Sequence, residues 1–108
     1  MSDQTSYRFV IADDHPIFRR GLRTVIESDA QLKVIAEAEN GAAALAAFAA
    51  GPPDVVLLDL MMPGMDGFEV CRRLRLMPAC EDLPVIVVTA LSDREARFRA
   101  LELGADDF

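Results

Sequence analysis

Four times between Tyr7 and Leu103 the chain passes from a short run rich in β-branched residues into a longer segment with helical spacing. Each passage is punctuated by Gly, Pro, Asn or Asp. That alternation predicts consecutive βα units, which pack as a parallel sheet with right-handed crossovers and helices on its faces. Strands are expected at Tyr7–Ala12, Leu32–Ala38, Asp54–Asp59 and Pro84–Thr89. The run Val55-Val56-Leu57-Leu58 has no polar alternation, as befits a central strand covered on both sides. A length of 108 residues leaves room for one such domain, and a hydrophobic share of 52% supplies its core.

Local signals place the helices. Pro16 suits a first helical position, where its missing N–H is no loss, and Ile17, Phe18, Leu22, Val25 and Ile26 should form one buried stripe behind it. Asn40-Gly41 opens an alanine-rich helix anchored by Leu45 and Phe48 and ended by Gly51-Pro52-Pro53. In Met61-Met62-Pro63-Gly64, Pro then Gly fits a type II turn with positive φ at the glycine. Asp66 then caps the third helix, Glu69 completes a capping box, and Met65 and Val70 form a hydrophobic staple. Ser92 and Glu95 repeat the capping pattern before a fourth helix that stops at Gly104. Asp107-Phe108 would begin a fifth strand, and residues 1–6 are expected to be a disordered leader to a domain at 7–108.

Charge and composition exclude several classes of function. Eleven Lys and Arg against eighteen Asp and Glu give a net charge of −7, the wrong sign for gripping a phosphate backbone. The apolar runs are strand-sized, far short of the roughly 20 residues of a membrane span. A polar N-terminus without a secretory pattern predicts a cytoplasmic location. Cys71 and Cys80 lack partners at metal-ligand spacing and are expected to be reduced thiols, one on a helix and one in a loop.

In an open parallel sheet, sites form at the carboxyl ends of the strands. Asp13 and Asp14 follow the first strand, Asp59 ends the third, and Thr89 ends the fourth. Three carboxylates brought together in a partly dry cleft need a compensating charge, and Mg²⁺, which takes a few carboxylates and completes its shell with water or phosphate oxygen, suits them. A carboxylate beside that ion can attack phosphorus, which makes Asp59 a candidate phospho-acceptor and Thr89 a donor to a phosphoryl oxygen, with Ala90 leaving room. His15 is read as a neighbour of the helix start rather than a ligand or catalyst. Asp59 could also serve a Mg²⁺-dependent phosphatase, but such an enzyme needs a general acid where Met61 stands. A third reading is an interaction module that is never phosphorylated.

Asp13-Asp14-His15-Pro16, the run Asp59 to Gly67, Val88-Thr89-Ala90 and Gly104 to Phe108 together resemble the receiver domain of bacterial two-component response regulators. The resemblance implies a flavodoxin-like, doubly wound α/β fold with strand order 2-1-3-4-(5), incomplete at its C-terminus. It implies phosphoryl transfer to Asp59 from a sensor histidine kinase or phosphotransfer protein, with Asp14, Asp59 and the backbone carbonyl of Met61 as Mg²⁺ ligands and Asp13 acting through a water. Thr89 matches the switch hydroxyl and Phe108 the switch aromatic. A receiver is a phospho-accepting switch, not a turnover enzyme, and regulates an output domain or partner, here expected to control transcription. The family's lysine would follow Phe108 by three positions, so the chain is expected to be a fragment, or one whose last segment a partner or fusion supplies. The segment Asp14 to Leu22 is similar to receivers of helix-turn-helix regulators, whereas Gly67 to Leu74 and Arg97 to Gly104 are similar to receivers attached to cyclic-dinucleotide enzymes. Met61 and Leu91 are expected to shield the acyl phosphate from water, and Phe18, Arg19 and Arg20 to form either part of a kinase-docking surface or a solvated helix face. Without a fifth strand, the fourth would be an exposed hydrophobic edge.

Overall fold

The computed structural model describes residues 6–88 and 94–106. Thr89, Ala90, Leu91, Ser92, Asp107, Phe108 and all of the expected leader but Ser6 lie outside the described residues. The elements run β1 (Tyr7–Ala12), α1 (Pro16–Glu27), β2 (Leu32–Ala38), α2 (Gly41–Ala50), β3 (Val55–Leu58), α3 (Gly67–Arg75), a 3-10 turn (Pro78–Cys80), β4 (Val85–Val87) and α4 (Arg94–Glu102). All strand pairs are parallel and the order is β2-β1-β3-β4, the order expected.

Alternation along each strand divides the core in two. Val10 and Ala12, Val56 and Leu58, and Val85 and Val87 face one side, where Phe48 of α2 and Phe68, Cys71 and Leu74 of α3 close over them. Ile11, Leu57 and the partly buried Ile86 face the other, against Leu22 and Ile26 of α1. Covering both faces is why β3 reads as an unbroken apolar run.

The stripe expected on α1 is only partly observed. Ile26 is buried and Leu22 half-buried, but Ile17, Phe18 and Val25 are 88%, 47% and 71% exposed. Arg19 takes the place inward of them, one turn before Leu22, because its guanidinium finds acceptors there. Its Nη1 donates to the Asp13 carbonyl at 2.7 Å and its Nε to Glu37 on β2 at 2.9 Å. Arg19 is therefore an anchor of the fold rather than part of a free surface.

Two caps form as expected: Asn40 accepts from Ala43 N–H at 2.8 Å and Asp66 from Glu69 N–H at 3.0 Å. Only half of the Asp66–Glu69 capping box is present, however. The Glu69 carboxylate turns along the helix to Arg72 and Arg73, and those two guanidinium groups hold it down to about 2. Gly64 adopts φ +77°, the left-handed conformation its turn demands. Cys71 and Cys80 are buried free thiols, the latter in the 3-10 turn rather than a loop, and burial pushes Cys71 up to about 11.

The outer edge of β4 is partly occupied among the described residues. Beyond α4, Asp106 donates its N–H to the Val85 carbonyl at 2.8 Å and accepts Val85 N–H at 2.7 Å. Arg75, at the end of α3, holds that segment in place. Its guanidinium donates to the carbonyls of Cys80, Glu81, Leu83 and Gly104, and to the Asp106 carboxylate at 2.9 Å. Replacing Arg75 by Ala should therefore lower stability by about 2–3 kcal/mol in a urea titration. Arg75→Lys should recover less than half of that, since an ammonium lacks the planar fork that reaches several carbonyls at once.

Candidate functional site

The sheet register brings the acids together. Ala12 on β1 lies opposite Ala38 on β2 and Leu58 on β3, so the three strands end level. The ladder continues one residue further. Asp13 N–H donates to the Ala38 carbonyl and Asp59 N–H to the Ala12 carbonyl, each at 2.9 Å. Two acids are thereby fixed at adjacent strand ends before any side-chain interaction is made. Both are buried, Asp13 at 2% and Asp59 at 5% exposure, while Asp14 is half-buried at the rim.

Backbone groups and neighbouring cations then orient the carboxylates. Asp13 Oδ1 accepts the His15 backbone N–H at 2.7 Å, and Asp59 Oδ1 accepts the Met61 N–H at 3.2 Å, which limits rotation of the Asp59 carboxylate. Arg19 reaches in from α1 to the Asp13 carbonyl and is held from behind by Glu37, which also pairs with Arg23 at 2.6 Å. Burial raises the Glu37 carboxyl, but the hydrogen bonds from Arg23 and Arg19 outweigh it and hold the group below its ordinary range. A permanent positive charge is thus braced behind the acidic loop without filling it.

One donor atom from each of Asp13, Asp14, His15 and Asp59 lies within 4.8 Å of the other three. The three acids meet as expected, and the structure adds His15, which the sequence reading set aside. Its ring Nδ1 is 3.2 Å from Asp13 Oδ1, 3.0 Å from Asp14 Oδ1 and 3.9 Å from Asp59 Oδ2. Asp14 Oδ1 is nevertheless a buried oxygen with no hydrogen-bond partner, because the nearby ring nitrogen does not meet the geometry of a bond. An orphaned carboxylate oxygen beside two further carboxylates is an oxygen-rich, negatively charged donor set, which fits a hard divalent cation. Met61, two residues past Asp59, is 53% exposed at the site's rim. The switch positions Thr89 and Phe108 lie outside the described residues.

The floor of the site depends on a close approach. A Cβ added to Gly67 would stand 2.7 Å from Leu60 Cα and 3.1 Å from the Asp59 carbonyl carbon, with the Asp59 carbonyl oxygen nearer still. Gly67 N–H also donates to the Leu60 carbonyl at 3.0 Å, so α3 begins directly against the backbone of Asp59 and Leu60. Backbone cannot rotate aside as a side chain can, which makes glycine necessary at this position.

Comparison with known proteins gives a consistent result. The family model described as "Response regulator receiver domain" matches residues 9–108. The response regulator PleD of Caulobacter vibrioides is 43% identical over 103 residues, which is 95% of this chain and 22% of PleD. The probable transcriptional regulatory protein NarL of Mycobacterium tuberculosis is 40% identical over 94% of this chain and 46% of its own length. The solved receiver domain of that putative regulator superposes with a TM-score of 0.87 at 38% identity, covering 96% of this chain and 82% of that one. The chain spans about a fifth of the first curated relative and under half of the second.

Substituting Gly67 by Ala should lower stability by about 1–3 kcal/mol in a urea titration and displace the Asp59 and Leu60 amide resonances. An unshifted Asp59 amide would refute the close approach.

Proposed function

This chain belongs to the response regulator receiver domain family, and on that premise we propose that Asp59 accepts a phosphoryl group from the phosphohistidine of a sensor histidine kinase or phosphotransfer protein. A receiver is a phospho-acceptor signalling module of two-component systems rather than a turnover enzyme, and a histidine kinase is the partner it implies. The observation that carries the assignment of Asp59 is its position: a buried carboxylate on the central strand, fixed by the Met61 amide and flanked by Asp13 and Asp14.

In the transfer, an Asp59 carboxylate oxygen attacks phosphorus as the P–N bond to the donor imidazole breaks. The O–P bond forms, and the imidazole leaves with the electron pair and takes a proton. Asp14, Asp59 and the Met61 carbonyl would hold Mg²⁺, with Asp13 acting through a water. When bound, that ion offsets the carboxylate charge and the charge on the phosphoryl oxygens. The chain's own groups do the positioning. Met61 N–H limits rotation of the Asp59 carboxylate, and Arg19 holds the Asp13 carbonyl so that the acidic loop keeps its shape under repulsion. Thr89 is the hydroxyl that would bond a phosphoryl oxygen and Phe108 the aromatic that would follow it inward; both assignments rest on the family motif.

Residues 7–108 would constitute the receiver domain, and its state would govern an output domain or partner. Transcription control is the output we assign, supported by the name of the Mycobacterium tuberculosis relative as a transcriptional regulatory protein. No helix among the described residues is long and apolar enough to cross a membrane.

Intact mass after incubation with a small phosphodonor checks the acceptor. One phosphoryl adduct should form with Mg²⁺ present and be absent without the ion or in Asp59→Asn; an adduct that survives Asp59→Asn refutes the assignment. A second experiment addresses the rim. Because the Met61 side chain stands apolar and exposed beside the acceptor, Met61→Asn should offer attacking water a hydrogen-bond partner and shorten the phosphoryl lifetime severalfold. An unchanged decay rate would show that Met61 does not shield the bond.

A further inference from the structure

The imidazole of His15 is the one member of the acidic site to which phosphoryl transfer assigns no part. Its Nδ1 faces an oxygen of each of the three acids, at 3.0 Å from Asp14, 3.2 Å from Asp13 and 3.9 Å from Asp59. The Asp13 contact is a hydrogen bond, whereas the Asp14 oxygen, though nearer, makes none. Around a six-coordinate ion with bonds of about 2.1 Å, neighbouring donors stand about 3.0 Å apart and opposite donors about 4.2 Å. The Asp14 separation of 3.0 Å matches that of neighbouring ligands, and the Asp59 separation of 3.9 Å lies near that of opposite ones.

Local structure delivers the ring to this place. Pro16 disfavours a helical conformation for the residue before it, and His15 is extended at φ −96°, ψ 105°. Its backbone N–H is tied to Asp13 Oδ1 at 2.7 Å, and its side chain makes no capping hydrogen bond that would draw it toward α1. The ring is two-thirds exposed, so it borders the entrance rather than packing in the core. Asp14 Oδ1, the oxygen nearest Nδ1, is the buried atom left without a hydrogen-bond partner.

We propose that His15 Nδ1 is a nitrogen ligand of the acidic site and makes it prefer a borderline divalent transition ion such as Co²⁺, Ni²⁺ or Zn²⁺ over Mg²⁺. The inference rests on the reading that Asp13, Asp14 and Asp59 hold a cation. Carboxylate and carbonyl oxygens alone suit Mg²⁺, whereas imidazole suits the later first-row ions, whose affinity for nitrogen sites rises from Mn²⁺ toward Cu²⁺. The histidine leaves the oxygen donors in place and changes which cation gains most from the site.

Calorimetric titration of the chain with Co²⁺ alone and Mg²⁺ alone tests this, alongside His15→Ala and Asp14→Asn. In parallel, the ¹⁵N resonances of the chain's single imidazole are followed on adding Zn²⁺. The parent should bind Co²⁺ more tightly than Mg²⁺, and His15→Ala should weaken Co²⁺ by at least the roughly tenfold that loss of even an outer-shell partner costs, with a smaller effect on Mg²⁺. The Nδ1 resonance should move with Zn²⁺ occupancy. Equal effects of His15→Ala on both ions, or an unmoved Nδ1 resonance with Zn²⁺ bound, would overturn the proposal while leaving the cation site intact. Failure of either ion to bind the parent, or undiminished binding in Asp14→Asn, would overturn it together with the reading it rests on. Thermal melts of the variants show that each comparison is made between folded chains.

Discussion

Everything at the site depends on the level ending of three parallel strands. Ala12 is paired with both Ala38 and Leu58, and the bonds from Asp13 N–H and Asp59 N–H extend that register by one residue. A slip by one position would turn each strand's core residues to the other face, exchanging Val10, Ala12, Val56 and Leu58 for Ile11 and Leu57. The register is thus enforced by burial on both faces, and the acids follow from it. Two unit charges within 4.8 Å repel by about 3–4 kcal/mol at an effective dielectric of 20. The carboxylates could not assemble themselves. They are held together by strands whose side chains are stabilised elsewhere.

Compensation for that repulsion comes from groups that leave the cleft open. Arg19 places its charge at the Asp13 carbonyl, outside the space the carboxylates share, and Glu37 prevents it from collapsing onto them. Backbone N–H groups of His15 and Met61 each take one carboxylate oxygen. Direct pairing of an arginine with Asp14 or Asp59 would neutralise the cluster more completely, but it would also close the face on which the carboxylates open. The orphaned Asp14 oxygen marks what the chain has left for a ligand.

Features governed by backbone geometry were legible in the sequence, and those governed by how a helix rotates about its axis were not. Asn40 and Asp66 announce their caps, Gly64 its positive φ, and the Val55 to Leu58 run its two-sided burial. The three acids were readable because strand ends in a parallel sheet share one edge. On α1 the sequence offers Phe18 and Val25 as natural core residues, yet Arg19 faces inward and they face out. Hydropathy ranks side chains by solvation and cannot see that a carbonyl and a carboxylate await a guanidinium at that spot. Glu69 misled for a similar reason, since two arginines one turn on compete with the capping N–H. The approach of the His15 ring to the acids was not legible, because it depends on a backbone bond to Asp13 that no spacing rule records.

The contrast between α3 and α4 indicates how a change at Asp59 could be transmitted. Five residues of α3 are buried, including Phe68, Val70 and Leu74, and Gly67 locks its start against the Asp59 backbone. Among the described side chains of α4 only Ala100 is buried, and Phe98 and Leu101 are exposed. Toward its end, Arg99 lies over the Phe68 ring at 4.2 Å, and Arg75 grips Gly104 and Asp106. The free energy of local opening rises with the apolar contact an element makes, so α4 is the cheaper of the two to displace. Asp106 in turn bonds both backbone groups of Val85, the residue where β4 begins. A pull on the chain beyond β4 would therefore act on the less deeply buried helix, with α3 and the acidic loop remaining as the frame against which it moves.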